Sequence, residues 1–168
     1  MTGLQLFTLV HVAISLAAIG SGFVVLYGLL DDRRLNGWTA FFLATTVATS
    51  LTGFGFPIHG FTPGLGLGVI SLVLLAVAIY ARYGRHLAGG WHLAYVVTAV
   101  AALYFNFLVL IVQSFQKAPA LKALAPTQSE PPFVVAQLAA LAAFLVLGWL
   151  AAKRFRDRAA SLEASSSA

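Results

Sequence analysis

The chain has 168 residues, of which 60% are hydrophobic and 9% charged, and its mean hydropathy is +0.91. A water-soluble domain of this size needs far more charge to cover its surface. A secreted enzyme, a nucleic-acid module and a disordered tail are therefore excluded, and an integral membrane protein is expected. The net charge of +5 comes from short Lys/Arg clusters between apolar runs, the arrangement that orients membrane proteins rather than one that binds nucleic acid. The absence of cysteine excludes disulfides, thiolate metal sites and iron–sulfur clusters.

Five apolar runs are long enough to cross a bilayer, which takes roughly 20 residues at about 1.5 Å each. The first, 4–30, has no basic leader before it and is about twice as long as a signal-peptide core, so it is expected to remain as an anchor. His11, Ser15, Ala18 and Gly22 share one face of it. The second run, 38–56, places Thr45, Thr49, Thr52 and Phe56 on one stripe. The loop 57–64 that follows contains His59 among alternating Gly and aromatic residues and is expected to dip along the membrane surface. It is no phosphate loop, because no strand precedes it and no Lys or Ser/Thr follows at the required spacing.

The third run is 65–83. Gly64 and Gly68, like Ala13, Ala17 and Ser21 on the first run, have the small-residue spacing of close helix contacts. In the connection 84–90 and just beyond it, His86 and His92 flank Gly89–Gly90 beside Arg82 and Arg85, where contact with lipid phosphate is expected. The fourth run, 91–115, aligns Thr98, Ala102, Asn106, Val109 and Gln113. In the long connection 116–132, Pro119 is placed to open a short helix through Leu124. The stiff polar segment with Thr127, Gln128, Ser129 and Glu130 then serves either as a lid or as a plain linker. The fifth run, 133–152, aligns Gln137, Ala140, Phe144 and Gly148. The tail 153–168 is basic, then Ser/Ala-rich, and its end is expected to be disordered.

With the N-terminus outside, the inner side holds Arg33, Arg34, Arg82, Arg85, Lys153, Arg154, Arg156 and Arg158, and the outer side only Lys117 and Lys122. This imbalance predicts N-out, C-in topology in a bacterial-type inner membrane. The same orientation gathers Trp38, Trp91 and Trp149 at the inner interface. The expected fold is thus all-α, a single five-helix transmembrane bundle over 1–152 with a cytoplasmic tail.

No charged residue is expected inside a span, which removes carboxylate proton relays, voltage sensing and paired-acid catalysis. No Gly-x-Ser-x-Gly elbow is present, so a serine hydrolase is also excluded. Counting from the outer helix ends, His11, Thr52, Asn106 and Gln137 share one layer, with Gln113 above it and His59 and Glu130 in the loops. The inner half offers Thr98, Tyr80, Tyr95 and Ser21. The layer reads either as hydrogen-bonding glue between helices or as an outward-facing pocket. Imidazole and amides suit a small neutral ligand, quinone-like or a lipid headgroup. Axial ligation by His11 and His59 would instead hold a b-type haem. A non-catalytic ligand-binding protein is the leading expectation. The alternatives are an accessory subunit that docks on other membrane subunits or on itself, and a transporter, which an inner half poor in polar groups disfavours.

Overall fold

The computed structural model describes residues 2–56 and 63–166, with side chains as far as residue 155. Six helices follow in chain order: α1 (Gly3–Leu30), α2 (Asn36–Gly53), α3 (Pro63–Ile79), α4 (Trp91–Lys117), α5 (Pro119–Leu124) and α6 (Pro131–Ser166). Among the described residues there is no strand.

Each long helix starts or stops for a local chemical reason. At the start of α1, Thr2 accepts from the Gln5 backbone N–H and the Gln5 side chain reaches back to Thr2 N at 2.8 Å, a reciprocal cap. α2 ends at Gly53, three residues before the end of its apolar run, where Phe54 N and Gly55 N close a tight turn onto Leu51 O and Thr52 O. α3 ends in a π-helical turn, Tyr80–Gly84. Behind it, His86 and Leu87 adopt positive φ, and Leu87 N bonds back to Ala81 O at 3.0 Å. Pro119 sits in the first turn of α5, whose bounds match the sequence expectation. α6 does not stop at Ala152 as expected. No Pro or Gly interrupts the Ala- and Arg-rich stretch beyond it, and the helix continues to Ser166.

Four helical stretches are long and apolar enough to cross a membrane: Gly3–Leu30, Pro63–Gly84, Trp91–Lys117 and Pro131–Phe155. The fifth expected span corresponds to α2, which is 18 residues long and diluted by five threonines and a serine. The helices form a ring in which α1 packs on α2, α2 on α3, α3 on α4, α4 on α6 and α6 back on α1, with a further contact from α4 across to α1.

The densest core lies toward the end of the bundle that carries the arginines. There Val25, Leu26 and Leu29 of α1, Phe42 and Leu43 of α2, Leu75 and Ala78 of α3, and Tyr95 to Leu103 of α4 meet Phe144, Ala151 and Phe155 of α6. Close approach at its centre depends on Gly22. A Cβ there would collide with Leu103 Cδ1 and stand 2.9 Å from Phe42 Cε2. Gly22, Phe42 and Leu103 thus form an apolar plug midway along the bundle.

Candidate functional site

At the α5 end of the bundle, His11 of α1 and Thr52 of α2 are joined by a hydrogen bond of 2.7 Å between His11 Nδ1 and Thr52 Oγ1. Thr52 has one hydroxyl proton, and it goes to Ala48 O at 2.7 Å. The imidazole must therefore be the donor, with its proton on Nδ1, which leaves Nε2 free to accept. Phe56 lies edge-on to the ring at 5.1 Å, and Gly53 closes the other side, within 3.9 Å of His11 Cε1 at its Cβ position.

Gln137 and Asn106 do not join this pair. Gln137 Nε2 donates from α6 to Leu108 O of α4 at 3.4 Å, and its Oε1 is buried without a partner. Asn106 lies two residues before Leu108, roughly 200° round the helix. It falls on the stripe that carries Tyr95, Ala99 and Ala102, and Tyr95 is in contact with Thr39 of α2 and with Arg82 at the end of α3. Asn106 therefore faces α2 and α3, and its Nδ2 is buried with no hydrogen-bond partner. Of the expected layer, only His11 and Thr52 are joined by a hydrogen bond.

The inward face of α2 also differs from the stripe expected in the sequence. Thr39, Phe42, Leu43, Thr46 and Ser50 are the buried residues, whereas Thr45 is half-exposed and bonds back to Phe41 O. Thr45, Thr52 and Thr98 all return their hydroxyls to the carbonyl four residues earlier. Thr46 and Thr49 do not, and both hydroxyl oxygens are buried without a partner. Thr46 is one turn beyond Phe42 and Asn106 one turn beyond Leu103, so both lie on the α5 side of the plug. Ser50 and Ser71, also buried, flank the same region, because Gly68 touches Phe54 and each serine is about a turn further in. Sequence reading missed Thr46, Ser50 and Ser71. The usable signal was the alternative α2 stripe that begins at Thr39.

The remaining expected residues have local roles. Gln113 is exposed. Glu130 precedes α6, and its carboxylate accepts from Thr127 Oγ1 at 2.9 Å, Thr127 N at 3.1 Å and Ser129 N at 3.1 Å. Slight desolvation raises its pKa, but these donors together outweigh it and hold the carboxyl below its ordinary 4.5. Gln128 fastens the same segment to α4 through Val112 O at 2.9 Å. His59 lies outside the described residues. Among the described residues no cluster of three metal-ligating side chains occurs.

The expectation that no charge enters a span fails at Arg82. It lies within the Pro63–Gly84 span, in the π-helical turn, and its side chain is half-buried against α2 and α4. Nη2 donates to Asn36 Oδ1 at 2.6 Å, and the guanidinium carbon stands 5.3 Å from the Tyr95 ring centre and 5.8 Å from that of Tyr83. Arg82 already falls within the apolar run 65–83, next to its last residue, so the bounds of that run and the expectation of charge-free spans are not consistent with each other. Comparison with protein-family models, curated proteins and solved structures gives no match.

Proposed function

We propose that this chain is a non-catalytic five-span membrane protein, N-terminus outside and C-terminus cytoplasmic, that binds a small neutral ligand in the α5 half of the bundle. The observation that carries the reading is that Asn106 Nδ2 of α4 and Thr46 Oγ1 of α2 each remain without a hydrogen bond on the α5 side of the bundle. Both are buried, both lack a partner, and both lie just above the Gly22–Phe42–Leu103 plug. An amide N–H or hydroxyl inside hydrocarbon costs free energy of a few kcal/mol if it stays unbonded, so a ligand oxygen at this point is favoured. Uncharged donors and acceptors suit a carbonyl or hydroxyl compound, quinone-like or a lipid headgroup. They favour it over a b-type haem, for which the described residues supply one imidazole, His11, at this end. The fifth span rests on the length of α2, about 27 Å, and the orientation on the clustering of arginines at one end.

The test is organic extraction of purified protein followed by mass spectrometry, comparing wild type with Asn106→Leu and Thr46→Val. A compound that co-purifies with wild type and is lost from both folded variants supports the reading. Identical extracts from all three proteins overturn it. A second reading, an accessory subunit of a larger membrane complex, draws support from α6, where Val135, Leu138, Leu145, Val146 and Trp149 form a long uncovered face. Its mark is a constant partner after mild detergent extraction.

A further inference from the structure

The arginine end of the bundle has a chemistry of its own, independent of the proposed ligand site. Every cation–aromatic contact among the described residues lies there. Arg34 stands over Phe155, Arg82 over Tyr83 and Tyr95, Arg85 over Trp91, and Lys153 over Trp149, at 5.3 to 5.9 Å. Arg154 caps the last turn of α1 by donating to Leu30 O at 2.6 Å. Of these cationic side chains Arg82 is half-buried and the others are exposed, so each stacked cation keeps access to groups outside the protein.

Within this end, Arg82 and Arg85 form the most specific arrangement. The π-helical turn widens the end of α3, and its closing bond, Arg85 N to Tyr80 O at 2.9 Å, sets Arg85 beside Trp91. Trp91 in turn meets Tyr80 edge-on at 5.1 Å. Two guanidinium groups are thereby framed by Tyr80, Tyr83 and Trp91. Tyrosine and tryptophan take up positions at headgroup depth in a bilayer, and this patch terminates a span. Arg82 is anchored below by Asn36, while Arg85 is exposed.

We propose that this corner binds the phosphate of an anionic phospholipid in the adjoining leaflet, with Arg82 and Arg85 as the two phosphate-binding groups. Planar guanidinium donors match phosphate oxygens, and the aromatic frame places them at headgroup depth.

The test uses full-length protein in nanodiscs of mixed phosphatidylcholine and phosphatidylglycerol, with retained lipids counted by native mass spectrometry. Preferential retention of phosphatidylglycerol is expected, with the preference falling about fivefold in R85Q and further in R82Q/R85Q. Lys122→Gln, at the opposite end, should leave it unchanged. Since R82Q removes a packed side chain, the exposed R85Q carries the decision if the double variant fails to fold. An unchanged lipid ratio in folded R85Q overturns the proposal, as does displacement of the lipid by inorganic phosphate, which would reassign the corner to the free ion. Neither result bears on the ligand expected near Asn106.

Discussion

Thr52 shows how one hydroxyl proton decides a neighbour's state. Its donation to Ala48 O makes its oxygen the acceptor for His11 Nδ1. Thr52→Val should strand that N–H and lower stability by about 1 kcal/mol, read as a lower thermal midpoint in detergent, while Thr52→Ser should restore most of it. Glu130 gives a pH-dependent case. Its folded pKa lies below 4.5, so its contribution to folding is complete above the unfolded value and disappears as pH falls through the folded one. Amide exchange at Phe133 and Val134, which bond to Glu130 O, should accelerate over that acid interval in wild type but show no such step in Glu130→Gln. At this scale the sequence was only partly legible. The inward position of Ala18, Gly22, Ala140 and Phe144 followed from spacing. The inward face of α2 did not, because Thr45, Thr49 and Thr52 form one stripe, Thr39 and Thr46 lie roughly 100° round from it, and only packing selects between the two.

Among the elements, α1 and α6 are the most informative. Gly22 lets α1 approach both Phe42 and Leu103, so Gly22→Ala should cost about 1 to 3 kcal/mol through overpacking, measurable by chemical or thermal denaturation. On α6, Phe144 touches Phe23, Tyr104 and Phe107 at 5.6 to 5.9 Å. Phe144→Ala should cost about 3 kcal/mol or more and loosen α6 selectively, seen as earlier proteolysis near its first turn. The apolar runs and Pro119 made the helices readable in sequence. Their ends were harder: α2 closes early because Phe54 and Gly55 turn back on it, and α6 runs to Ser166 because nothing in its sequence breaks a helix. The π-helical turn has no sequence mark distinct from an ordinary helix end.

Across the whole molecule, basic residues are concentrated at one end, whereas buried unbonded polar atoms occur at both, Tyr95 Oη and His92 Nε2 toward that end and Thr46, Thr49, Asn106 and Gln137 toward the other. Composition revealed helices long and apolar enough to cross a bilayer and the charge imbalance. It could not reveal that His11 bonds to Thr52 while Gln137 bonds to Leu108 O, since that depends on the rotation of each helix against its neighbours.

Between the buried hydroxyls of Thr46 and Thr49 and the Arg82–Tyr95–Thr39 group stand Phe42 and Leu103, packed against Gly22. In the proposed membrane setting, tight apolar packing at this point would keep water, and so ions, from passing through the bundle. Trimming both side chains in Phe42→Ala/Leu103→Ala should let water into that point and make liposomes containing the protein leak protons, whereas the wild-type chain should hold a pH difference reported by an entrapped dye.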